Sequence, residues 1–137
     1  MTKHKFIESK HQIALIGWCK VAKMPKHPRV IPNATVYDYI HSIPNGGKLA
    51  KKSAMIAVAE GLHKGVSDLK FSFPAGGYGG LYIEMKRPHV KGKTKAKMSP
   101  EQERWFKYQE LAGIKCVCCF SWEDAKNEIL SYLKLLK

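Results

Sequence analysis

Residues 65–86 constrain this chain more than any other stretch. Gly65-Val66-Ser67-Asp68-Leu69-Lys70-Phe71 leads into a glycine-rich turn over residues 73–80, then into Leu81-Tyr82-Ile83-Glu84-Met85-Lys86. Two short alternating runs about such a turn read as a β-hairpin. Folded about the middle of the turn in regular register, position 68 falls opposite 84 and position 70 opposite 82. Directly opposed residues on an antiparallel pair share a face, and side chains alternate with period two. Asp68, Glu84 and Lys86 are therefore expected on one face, and Leu69, Phe71, Leu81, Ile83 and Met85 on the other. The second group is core. The first is two carboxylates and an ammonium, the donor set of a divalent-metal site with a built-in cation. A plainer reading is a solvated salt-bridge face on a half-exposed sheet, which adds little stability.

Charge separates the two readings in part. The net charge is +13, yet from Glu101 onward six Lys/Arg face six Asp/Glu. The excess lies in residues 1–100, where eighteen basic residues meet only Glu8, Asp38, Glu60, Asp68 and Glu84. A surface this basic suits a polyanion, with nucleic acid the default partner. Carboxylates on a phosphate-binding surface cost affinity unless a cation neutralises them, which favours the metal. With 137 residues, 45% of them hydrophobic, the chain reads as a single domain over 1–137. No apolar run reaches membrane-span length and residues 1–5 lack a secretory core, so an intracellular protein with no membrane association is expected. Cys116, Cys118 and Cys119 sit in one short apolar run and Cys19 stands far away. That pattern offers neither a disulfide framework nor the second pair of a structural zinc site, and buried strand thiols are expected.

Along the chain, residues 6–22 read as a helix with Ile7, Leu15, Trp18 and Ala22 on one stripe. Glu8 and Gln12 share a face of it, although a first-turn acid already suits the helix dipole. A strand is expected within residues 36–41, then a turn at Asn45-Gly46 and a helix over residues 49–63. That turn is either a tight connection or a phosphate-facing helix start. Residues 86–97 carry six basic side chains and no acid, as a mobile solvated loop or a backbone-contacting one. Ser99-Pro100-Glu101-Gln102 forms a capping box opening a helix to about residue 112, with Trp105, Tyr108 and Ala112 inward. Residues 115–120 read as a buried strand. Ser121 caps a last helix with Trp122, Ala125, Ile129, Leu133 and Leu136 on one side. The fold class is α/β: order α-β-α-β-β-α-β-α, a central mixed β-sheet of about four strands flanked by helices, its last strand parallel through a crossover helix.

Several of these stretches together carry a resemblance. Residues 43–47 (Ile-Pro-Asn-Gly-Gly), residues 65–69, residues 76–88, Ser99 to Gln102 with Trp105, and residues 121–125 occur in the order and spacing of the VRR-NUC (virus-type replication–repair nuclease) domain. The chain resembles that branch of the PD-(D/E)xK nuclease superfamily from Glu8 to the last helix. The resemblance implies a restriction-endonuclease-like core with Asp68, Glu84, Lys86 and the helix-borne Glu8 as catalytic residues. It implies Mg²⁺ or Mn²⁺ held by Asp68, Glu84 and Glu8. By the same resemblance the chain is a phosphodiester hydrolase, a phage or bacterial stand-alone type, homodimeric, cutting branched DNA such as Holliday junctions. DNA contacts are expected from Lys48, Lys51, Lys52, Lys70, Arg87, Lys91, Lys93 and Lys95, with Gln102 and Asn45 secondary. Gln102 matches the family's glutamine, although capping already accounts for it. Ser67 departs from the proline usual before the aspartate, a position that supplies no ligand.

Three rival readings remain. A non-catalytic basic nucleic-acid-binding protein explains the charge equally well but not the in-register acids. A histidine–metal nuclease lacks paired spacing among His4, His11, His27, His41, His63 and His89. A sequence-specific restriction enzyme needs chain for base reading that a core this short does not leave.

Overall fold

The hairpin pairs Leu69 with Ile83, Lys70 with Tyr82 and Phe71 with Leu81. The expected register is therefore present, and one more step sets Asp68 opposite Glu84. A computed structural model of the chain describes residues 3–44 and 50–137. Its elements are α1 (Lys3–Val21), β1 (Ile40–Ser42), α2 (Lys51–Ala59), β2 (Leu69–Phe71), β3 (Leu81–Met85), α3 (Pro100–Leu111), β4 (Lys115–Cys119) and α4 (Trp122–Leu133). The sheet runs β1-β2-β3-β4, antiparallel in its first two pairings and parallel between β3 and β4. This is the mixed four-stranded α/β architecture expected from the sequence, α3 being the crossover that a parallel pair requires.

One face of the hairpin makes the core. Leu69, Phe71, Leu81, Ile83 and Met85 are all buried, in one cluster with Leu15 and Cys19 of α1 and Ala125, Ile129 and Tyr132 of α4. Each such side chain contributes about 1.5–3 kcal/mol on leaving water. Tyr132 sets its ring edge-on to Phe71 at 5.9 Å, and its buried hydroxyl donates to the Phe73 carbonyl at 2.7 Å. The opposite face of the hairpin is covered by α3, whose Trp105 ring lies 4.4 Å from that of Tyr82.

Several expectations are corrected. Residues 36–41 do not form one strand: Val36–Tyr39 is a 3-10 turn and the strand is only Ile40–Ser42. The Asp38 carboxylate accepts from Thr35 N at 2.8 Å, and this local bond curls the backbone out of extension. On α3 the inner line is Gln102, Trp105, Phe106 and Gln109; Tyr108 is 59% exposed under Arg104, and Ala112 is exposed. The spacing is helical, but it starts from a polar residue that hydrophobic patterning discounts. The strand expected over residues 115–120 is the edge strand β4, half-buried except at Cys119. Cys116 and Cys118 are accordingly only half-buried, while Cys19 and Cys119 are buried, and all four are free thiols. Burial pushes Cys19, Cys116 and Cys119 up to about 12, so they stay protonated. The last helix ends at Leu133, short of Leu136, and its unforeseen buried member is Tyr132. The helix expected over 49–63 is the shorter α2, with no buried residue and with Met55, Ile56 and Val58 exposed. Among the described residues no helix is long and apolar enough to cross a membrane.

Candidate active site

Gly65 begins the site. Its φ of +90° disfavours any L side chain, and a Cβ would stand 2.6 Å from the Glu101 carbonyl oxygen and 3.2 Å from Gln102 N. The turn before β2 therefore lies flush on the first turn of α3. Three residues later Asp68, just ahead of β2, accepts from Met85 N through Oδ2 at 2.8 Å. That bond ties its carboxylate across the hairpin to the strand bearing Glu84.

Glu84 is only 3% exposed. Its Oε1 accepts from Gln102 Nε2 at 2.8 Å and lies 3.6 Å from Lys86 Nζ. The Gln102 side-chain oxygen accepts from Ser99 N at 2.9 Å, so its amide NH₂ must face Glu84. Gln102 thus caps α3 with one end and holds the carboxylate with the other; capping explains only half of it. Glu84 Oε2 is buried with no hydrogen-bond partner. The Glu84 carboxyl is raised to about 8, first by burial and then by the Asp68 charge, with Lys86 pulling down and Glu8 adding a smaller push upward. Asp68, Glu84 and Lys86 are brought together, with Glu8 near enough for its charge to register. Glu8 itself is half-buried on α1, 3.9 Å from Lys5 Nζ.

An orphaned carboxylate oxygen beside a second carboxylate fits a hard divalent cation. Among the described residues no three His, Cys, Asp or Glu side chains stand close enough to enclose a metal. Mg²⁺ needs no such cage: it keeps several waters and binds through one or two carboxylates plus substrate phosphate oxygens. Asp68 and Glu84 are two carboxylates that could hold such an ion.

A solved structure described as "VRR_NUC domain protein" superposes on the chain with a TM-score of 0.75, covering 96% of this chain and 91% of that one. The chain has the VRR-NUC fold. At 22% identity the likeness is one of shape. No family model matches the sequence, and no curated protein matches it.

On this VRR-NUC fold the expected DNA-contacting residues part company. Lys51 and Lys52 are exposed at the start of α2, and Lys91, Lys93 and Lys95 are exposed in the loop after β3. Lys70 lies on the acidic face, its Nζ 5.3 Å over the Tyr82 ring. Asn45 and Lys48 lie outside the described residues. Arg87 stands apart: it is 5% exposed, and its guanidinium donates to His4 Nδ1 at 3.2 Å, to the Pro88 carbonyl at 3.4 Å and to the Thr94 carbonyl. It staples the Lys-rich loop and the start of α1 to the end of β3, leaving little for a phosphate. The sequence also concealed Cys118, which pairs in register with Glu84 and feels the charges of Glu84, Lys86, Asp68 and Glu8. Only the register of the parallel β3/β4 pair reveals it, and no local pattern encodes that register.

Proposed function

We propose that this chain is a metal-dependent endodeoxyribonuclease of the VRR-NUC type, hydrolysing phosphodiester bonds in branched DNA such as four-way junctions. The observation carrying the reading is Glu84 Oε2, buried and unpartnered beside Asp68, with the Lys86 ammonium on the same carboxylate. Asp68 and Glu84 would hold Mg²⁺ or Mn²⁺, with Glu8 contributing directly or through water. When bound, the cation supplies Lewis acidity at the scissile phosphate. Gln102 keeps Oε1 engaged, so that Oε2 is the oxygen offered to the ion. Lys86 orients the attacking water and offsets charge developing on the phosphate oxygens. Lys51, Lys52, Lys70, Lys91, Lys93 and Lys95 neutralise the DNA backbone.

The reading includes a homodimer. A nine-residue helix with none of its residues buried is marginal alone, and α2 exposes Met55, Ile56 and Val58. Between α1 and the edge strand β1 runs a groove of about 610 Å³, lined in part by Ile13, Ile16, Gly17, Tyr37 and Ile40. A second copy offers both halves of that match reciprocally, as two-fold symmetry demands.

The test is cleavage of a four-way junction, a flap, a single strand and a plain duplex, side by side, with Mg²⁺ and with Mn²⁺. Branched substrates are cut by the wild-type protein, while Asp68→Asn and Lys86→Ala bind them with near-unchanged affinity and do not cut. Cleavage retained by either purified variant refutes the assignment.

A further inference from the structure

Beyond Lys86, the end of β3 adjoins a small cavity of about 200 Å³ lined by His89, Lys95, Ala96 and Phe120. It is smaller than the roughly 300–1,000 Å³ pockets that enclose drug-sized ligands, so it suits a single planar ring system. Its position relative to the acidic site is fixed by backbone. Lys86 N donates to the Cys119 carbonyl at 2.8 Å, which sets Phe120 beside the residue carrying the ammonium. Both walls are anchored. Phe120 N donates to Asp124 Oδ2 at 3.2 Å at the start of α4, and the Thr94 carbonyl accepts from the buried Arg87 guanidinium, holding the Lys95–Ala96 wall. Phe120 nevertheless leaves 38% of its surface to solvent. The Asp124 carboxylate, the acid beside this platform, accepts from Phe120 N, and residues 85–98 contain no acid.

An exposed aromatic ring, a ring-sized cavity and flanking basic side chains are together the elements of single-strand recognition, in which bases stack on aromatic side chains while basic groups track the backbone. We propose that this cavity receives one unstacked nucleobase of the strand whose phosphate lies at Asp68, Glu84 and Lys86, stacked on Phe120, with His89 and Lys95 against the adjoining phosphates. Stacking on a π-face tolerates any base, so the subsite reads unpairedness rather than sequence. It rests on the nuclease reading and deepens it, because a base must leave its partner near the cut, as it does at a branch point or flap.

The test is binding of a fluorescent flap DNA in Ca²⁺, with a single abasic nucleotide moved one position at a time across the branch. In the wild-type protein one position weakens binding about tenfold. Phe120→Ala binds intact flap about tenfold more weakly and loses that position dependence, whereas Phe120→Trp keeps it; Phe120→Leu, which keeps apolar bulk without the ring, behaves like Phe120→Ala. No position-specific loss in the wild type, or a loss that persists undiminished in Phe120→Ala and Phe120→Leu, overturns the base subsite. Flap binding that is salt-dependent yet blind to abasic substitution overturns the subsite alone. Failure to bind any of these DNAs brings down the nuclease reading, and the subsite with it.

Discussion

Replacing Glu84 by glutamine should make the metal-free protein more stable while removing the proposed nuclease activity. The substitution keeps shape: the glutamine oxygen can still accept from Gln102 Nε2, and its amide can turn toward Asp68 in place of the orphaned Oε2. The magnitude follows from the carboxyl, raised from 4.5 to about 8 chiefly by burial and then by Asp68. A carboxyl whose folded pKa lies above its unfolded one holds its proton in the native state after the unfolded chain has released it. Stability therefore falls as pH rises from about 4.5 to about 8 and levels off beyond. At 1.36 kcal/mol per unit the ceiling is roughly 5 kcal/mol, which relaxation and water entry only reduce. Urea melts of wild type and Glu84→Gln in EDTA, from pH 5 to pH 9, isolate Glu84 and the neighbours coupled to it by difference, since ionisations remote from the site are shared. The variant should pull ahead by about 1 kcal/mol per pH unit up to about pH 8 and hold its lead above that. Saturating Mg²⁺ at pH 8 should close the gap by stabilising the wild type by about 2.7 kcal/mol at a hundredfold excess over Kd, with little effect on the variant. A difference that is flat with pH, or a Glu84→Gln protein that still cuts DNA, refutes the reasoning.

Arg87→Ala removes a buried guanidinium with three internal acceptors and should cost roughly 2–4 kcal/mol in thermal or urea melts. In contrast, Lys91→Ala with Lys93→Ala and Lys95→Ala should leave melting within about 0.5 kcal/mol. The triple variant should flatten the slope of log K against log salt by about 0.9 for each phosphate it no longer neutralises; a slope unchanged in it excludes this loop from the DNA interface. Ile56→Lys on α2 should give a monomer by sedimentation at concentrations where the wild type is dimeric, and a dimer that survives the change places the interface elsewhere.

The hairpin is legible because its information is local: alternation, glycine punctuation and two acids at matched distance from the turn. Register then follows from symmetry alone, and Asp68, Glu84 and Lys86 fall on one face without knowledge of any neighbour. What escapes reading depends on partners remote in sequence. Gln102 has a complete local explanation in the cap of α3, and its amide bond to Glu84 exists only because the crossover returns that helix over the sheet. Arg87 looks like one more cation in a basic run, yet it is buried because His4 and Thr94 converge on it. Tyr108 looks like core on apolarity; Trp105 and Phe106 take the inner face because Gln102 fixes the rotation of the helix.

The close fit of Gly65 against the opening turn of α3 has a consequence for when the protein becomes competent. The segment leading to the first carboxylate rests on Glu101 and Gln102, some thirty-six residues later, so the nascent chain emerges with both acids before the surface that seats them exists. Long-range pairings of this sort form late, after loop closure has been overcome. On the proposed nuclease reading, a ribosome-bound fragment ending before the crossover helix should therefore be catalytically inert even with Asp68, Glu84 and Lys86 all synthesised.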